Sequence, residues 1–211
     1  MVAIAVAGAT LIVVGALSNG LWSPRAPILD ASVETPAPVA TADAPSACLP
    51  SGDGFLQARL DGALQMRLDW QNEGTQCEGM PRPEGNGIRL SFSRPLDTEG
   101  HRLLIVFGIA GLSESSSGRA LPANLTIIEE GGKQIFGTLG DDKCVVDELK
   151  QQLITAWSAT SRTYRVSGRG FCMQPARAIG GDAGVLMSSF DFAGQVEYGD
   201  VVAPVPLEHG A

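Results

Sequence analysis

The chain predicts a mainly all-β protein, an antiparallel β-sandwich or partly closed barrel with one short amphipathic helix, and three observations lead there. Glycine supplies 26 of 211 residues, about 12% where roughly 7% is usual, and without a collagen-like period the excess belongs to turns. Short runs of alternating apolar and polar residues recur between the glycines, the period-two mark of half-buried strands. Hydrophobic residues make up 44% of the chain and charged residues 18%, a globular balance that suits one core of ordinary size. The formal net charge of −8 argues against a nucleic-acid partner, because neutralising phosphates requires a basic face.

Residues 1–22 read as a transmembrane anchor or a signal segment. Positions 2–22 carry no charge, and as a helix they would span roughly 32 Å, enough for a hydrocarbon core of about 30 Å. A small-x-small site at Ala16-Leu17-Ser18 would allow removal as a secretory signal. The first cation, Arg25, lies beyond the segment, which under the positive-inside rule alone would keep the bulk of the chain cytoplasmic. One arginine is a weak signal, and the cysteines point to the other side. Residues 23–47 hold five prolines, Pro24, Pro27, Pro36, Pro38 and Pro45, among Ala, Ser and Thr. That composition predicts a disordered tether reaching up to about 75 Å from a membrane.

A domain over 48–199 follows, then a flexible tail, 200–211. Cys48, Cys77, Cys144 and Cys172 form no C-x-x-C, and His101 and His209 are the only histidines, so a zinc site is poorly supported. An even cysteine count behind an export segment predicts two disulfides. Cys48–Cys77 and Cys144–Cys172 are favoured, because each closes a short segment. Such bridges need an oxidising compartment. The expected location is therefore the periplasm, with the domain held by a single inner-membrane span or free there once the signal is cleaved.

Alternation predicts strands at 56–60 and 64–70. A three-residue loop at 61–63 would set Leu60 against Leu64, Ala58 against Met66 and Leu56 against Leu68 on one face. Residues 71–86 read as a loop, 88–92 as a strand and the continuously apolar 103–109 as a central strand. Strands at 124–129 and 134–138 flank a Gly131-Gly132 turn, and 163–167 and 185–198 complete the set. Residues 143–157 read differently. Val145, Leu149, Leu153 and Trp157 recur every four positions behind Asp141-Asp142, which predicts an amphipathic helix with Cys144 at its start.

No catalytic constellation emerges. Gly111-Leu-Ser-Glu-Ser115 lacks the closing glycine of a nucleophile elbow, and only His101 could serve as a base. Gly131-Gly132-Lys133 lacks the spacing of a phosphate loop. Glu129-Glu130 and Asp141-Asp142 are neighbours, and neighbours on a strand point to opposite faces. Asp53, Asp182 and Asp191 could build an oxygen-rich calcium site, although turn formation explains them better. No metal or cofactor is expected. Basic residues comprise twelve arginines and three lysines. Of these, Arg82, Arg89, Arg162, Arg165, Arg169 and Arg177 are the candidate anion-binding set, since guanidinium forks suit carboxylates and phosphates.

The expected function is a membrane-tethered extracytoplasmic β-domain with a binding or structural role in the cell envelope. Its partners would be the membrane, through the N-terminal helix, and an envelope protein, glycan or lipid head group. The alternative is a carbohydrate-active hydrolase using a carboxylate pair, with Trp70 or Trp157 exposed beside it.

Overall fold

The computed structural model describes residues 47–97, 100–132, 134–158 and 160–199. The predicted segment 1–22, residues 23–46 of the tether and the tail 200–211 lie outside the described residues. Eleven strands follow in order: β1 (Phe55–Gly62), β2 (Met66–Gln71), β3 (Gln76–Pro81), β4 (Gly87–Pro95), β5 (Arg102–Ala110), β6 (Gly118–Glu130), β7 (Gln134–Gly137), β8 (Cys144–Ala156), β9 (Arg162–Cys172), β10 (Ala176–Ala178) and β11 (Gly184–Tyr198). Every pair between them is antiparallel. The domain is all-β, and among the described residues no helix is long and apolar enough to cross a membrane.

The sheet runs β2-β1-β11-β10-β7-β6-β5-β4-β3, with β9 also beside β11 and β8 joining β9 to β6. β6 changes neighbours along its length. Positions 118–122 pair with β8, whereas positions 123–130 pair with β5 and, in part, with β7. Hydrogen-bonded neighbours thus close a cycle from β11 through β9, β8, β6, β7 and β10 back to β11. Only β2 and β3 end the sheet path.

Folding the sheet over itself brings inner faces together. The Phe107 ring of β5 lies 4.9 Å from Phe190 and 5.4 Å from Phe192 of β11, and Phe92 of β4 lies 5.8 Å from Phe192. All four rings are buried. Glycines on β9 make room for two of them. Gly170 and Gly168 stand in register opposite Phe190 and Phe192, and a Cβ on Gly170 would come within 2.0 Å of the Val145 carbonyl oxygen and 2.7 Å of the Phe190 ring. Alternation then turns Arg169, between those glycines, outward.

Both disulfides have the predicted pairing, Cys48–Cys77 and Cys144–Cys172. The first ties the entry of the domain to β3. Beside it, the side-chain oxygen of buried Asn72 accepts hydrogen bonds from the Leu49 N–H at 2.8 Å and the Gly54 N–H at 3.1 Å. The second joins directly paired residues of β8 and β9.

The helix predicted over 143–157 is corrected: Cys144–Ala156 form β8. Cys144 and Val146 point inward, and then the register against β9 shifts between Val146 and Glu148. Asp147 is the extra residue of a β-bulge, and after it Leu149 points inward. A spacing of four is two strand steps as well as about one helical turn, so the recurrence of Val145, Leu149, Leu153 and Trp157 does not separate the two periods. Leu153 and Trp157, assigned to the predicted apolar face, are instead 56% and 79% exposed. Two other expectations change. Positions 76–81 of the predicted loop form β3, and the β1–β2 register sets Leu60 against Met66, Ala58 against Leu68 and Leu56 against Trp70. That register differs from the predicted one by two residues, so the buried face is kept while every polar partner changes.

Candidate functional site

The six predicted arginines do not form one patch. Arg165 and Arg169 project from the outer face of β9. Arg165 Nε lies 2.7 Å from Asp53, and Arg169 Nη2 lies 3.6 Å from Glu148. Arg162, at the start of β9, forks onto Glu114 of the loop between β5 and β6, and the Tyr164 hydroxyl donates to the same carboxylate at 3.1 Å. Arg162 first, and then Tyr164, hold Glu114 below its ordinary pKa. Arg82 bonds Asp141 at 3.0 Å, and Arg177 donates to the Asp182 carbonyl oxygen at 3.4 Å. Arg89, on β4, shares a depression of about 300 Å³ with Arg82 and also borders one of about 370 Å³ that Met80, Ser91 and Arg102 line. Four of the six are thus engaged by carboxylates of the domain.

Nor do the serine and histidine candidates meet. His101 stands before β5 and pairs with Asp97, whereas Ser113 and its neighbours follow the far end of β5. Nine strand residues separate the two ends by roughly 30 Å. Among the described residues, no group of three His, Cys, Asp or Glu side chains is placed to hold a metal ion. Asp53, Asp182 and Asp191 lie on different elements, and Ser51, followed by Arg165, holds Asp53 below its usual pKa.

A cleft of about 550 Å³ lies over the outer face of β2, β1, β11 and β9. Its lining follows from strand register. One row crosses five strands: Asp69 of β2 faces Gln57 of β1, Gln57 faces Asp191 of β11, Asp191 faces Arg169 of β9, and Arg169 faces Glu148 of β8. Gln57 donates to Asp69 at 3.2 Å. A second row holds Arg67, Arg59 and Ser189, with Arg59 between the other two. The bulge in β8 places Asp147 at the cleft wall. The sheet thus lays acceptors and cations along parallel rails, two residues or about 6.7 Å apart along the strands.

Asp191 is the perturbed group of this cleft. Desolvation raises its carboxyl above the ordinary value, against opposing pulls from Arg169 and the Phe192 N–H. A carboxylate with a raised folded-state pKa contributes stability that is present below the unfolded pKa and lost as pH rises through the folded one. Asp191→Asn should therefore melt higher than the native chain at pH 7, on the order of 1 °C after allowance for solvent screening. The difference should fade as pH drops through the ordinary Asp range and be gone below about pH 3, where the carboxyl is protonated folded and unfolded. Thermal unfolding monitored by circular dichroism across pH checks this, and a lower melting temperature at pH 7 would contradict the desolvation.

Sequence reasoning missed Arg59, Arg67 and Asp69. The predicted hairpin register sets Arg67 against Gln57, and only the observed shift of two places Arg67 opposite Arg59 and Asp69 opposite Gln57. Alternation alone would have found their common outward face.

No protein-family model matches the chain, and no curated protein sequence or solved structure is significantly similar to it.

Proposed function

We propose that the domain is an extracytoplasmic binding module of the cell envelope, a β-sandwich stitched into a partly closed barrel, with its ligand site in the cleft over β2, β1, β11 and β9. The observation that carries this reading is the cleft itself. Its volume of about 550 Å³ falls within the range of small-ligand sites, roughly 300–1,000 Å³. It presents the carboxylates of Asp69 and Asp191 with the Arg169 guanidinium in one row and Arg67 and Arg59 in the next, an arrangement matched to a hydroxyl-rich ligand such as an envelope glycan. Two disulfides favour an oxidising compartment. The apolar segment 1–22 would anchor the domain in the inner membrane facing the periplasm, or release it there if cleaved.

Binding of fluorescently labelled envelope oligosaccharides to the full chain tests the reading. Asp69→Asn with Asp191→Asn should weaken binding by about tenfold or more, since each removes a charge-assisted acceptor. Wild-type protein that binds none of them, or a double variant that binds equally well, would overturn it.

One observation favours a hydrolytic second reading. Asp69 and Asp191 lie two strands apart, about 9.5 Å between backbones, at the wide end of the spacing used by inverting glycosidases. The raised pKa of Asp191 suits a general acid. Trp70 is buried and Trp157 does not line the cleft, so the aromatic platform expected beside the acids is supplied by neither. Hydrolysis of chromogenic glycosides that disappears in Asp191→Asn would support this reading.

A further inference from the structure

We infer that Arg59 and Arg67 form an anion subsite at one rail of the cleft, and that the ligand is an acidic sugar whose carboxylate or phosphate docks there. The inference rests on the reading of the cleft as a ligand site and names the class of ligand.

The starting point is a local conflict. Arg59 and Arg67 are directly opposite on adjacent antiparallel strands, where side chains begin about 4.5–5.5 Å apart and like charges repel. Nothing about net charge forces this pairing in a chain with 23 acidic residues. Elsewhere on the same face, Arg165 and Arg169 each meet a carboxylate. Arg59 is held by Asp61 at 3.2 Å, on a site with side chains 57% and 36% exposed. Arg67 has no carboxylate within ion-pair distance among the described residues. The two guanidinium groups thus offer one neutralised and one open fork side by side.

Ser189 continues the row on the far side of Arg59. Forked N–H donors beside a hydroxyl suit an oxyanion with two or three acceptor oxygens. The neighbouring rail, about 6.7 Å along the strands, presents Asp69, Gln57 and Asp191, which accept from hydroxyls. A ligand spanning both rails needs an anionic group roughly one sugar ring away from its hydroxyl donors. A uronic acid or a sugar phosphate has that layout, and a neutral glycan leaves the guanidinium pair unanswered.

The test is an NMR titration of the full chain with three probes: glucose, glucuronic acid and glucose 6-phosphate. The two acids should bind about tenfold or more tightly than glucose, shift the Arg59 and Arg67 Nε–H resonances, and lose that advantage in Arg67→Gln. Comparing the two acids separates carboxylate from phosphate as the docking group. Arg67→Lys should retain part of the advantage. Arg67→Gln should unfold at the same temperature or higher, because it relieves the cross-strand repulsion.

Equal binding of all three sugars, with the loss in the Asp69→Asn, Asp191→Asn double variant intact, would overturn the anion subsite and leave the cleft standing. If no sugar binds, inorganic phosphate separates the remaining cases. A saturable shift at Arg59 and Arg67, with the Arg59 shift lost in Arg67→Gln, supports the subsite, although the cleft then fails as a sugar site. No saturable shift overturns both.

Discussion

Truncation of Phe107 to alanine should cost about 3–5 kcal/mol of folding free energy, the range for removing a buried aromatic ring. Phe107 is fully buried and touches Phe92, Phe190 and Phe192, with centroid distances of 6.4, 4.9 and 5.4 Å. Its ring sits where the two arms of the folded-over sheet meet, so the surrounding backbone cannot collapse into the void without breaking strand pairs on both sides. Each lost ring pair adds to the loss of buried area. For a domain of this size the melting temperature should fall by about 10 °C or more. Leu139→Ala, at a side chain 87% exposed, is the control and should change stability by less than about 0.5 kcal/mol. Urea titrations of both variants decide the matter. A Phe107→Ala loss near 1 kcal/mol would mean that the four-ring cluster does not organise the core.

Removal of the Cys144–Cys172 bridge should have a comparable effect. Its partners are 28 positions apart, and closing a loop of that length restricts the unfolded chain by about 3.6 kcal/mol. The Cys48–Cys77 bridge, at a separation of 29, is worth about the same. Domains of this kind are stable by about 5–15 kcal/mol in total. The double variant Cys144→Ala, Cys172→Ala should therefore fold with a greatly lowered urea midpoint, and reduction of both bridges should bring the chain near its unfolding threshold at ambient temperature. Unfolding curves with and without reductant test this, and coincident curves would contradict it. Alkylation mapping of the protein from its native cells gives an independent check, because four thiols free to react would remove the case for an oxidising compartment.

The strands that were legible in the chain are those whose two faces meet different solvents. Leu56, Ala58 and Leu60 alternate with Gln57 and Arg59 because one side is core and the other water. β5 was legible for the opposite reason, being covered enough to stay apolar throughout. β3 was hidden because Gly79 occupies an inward position. A Cβ there would lie 2.5 Å from the Gln195 carbonyl oxygen, so close packing against β11 removed the apolar side chain that would have marked the strand. β8 was misread because residues four apart share a face on a strand as well as on a helix. The cleft was harder still. Its members come from β1, β2, β8, β9 and β11, and their meeting depends on register, which hydrophobic alternation specifies only to within steps of two. The favoured disulfides are the observed ones because, of three possible pairings, the structure uses the one that closes the shortest loops.

The position of β11 in the chain has a consequence for how the protein is made. This strand carries Phe190 and Phe192 and pairs with β1, β9 and β10, yet it is the last of the described strands to leave the ribosome. A nascent chain that stops before Gly184 has β1 without its inner neighbour and β9 without half of its hydrogen bonds. Long-range closure of this kind is slow compared with local pairing. Pairing of the chain neighbours β3–β4, β4–β5, β5–β6 and β8–β9 needs nothing from β11, so the step that waits for the last strand is the closing of the sheet and the meeting of Phe107 with Phe190 and Phe192.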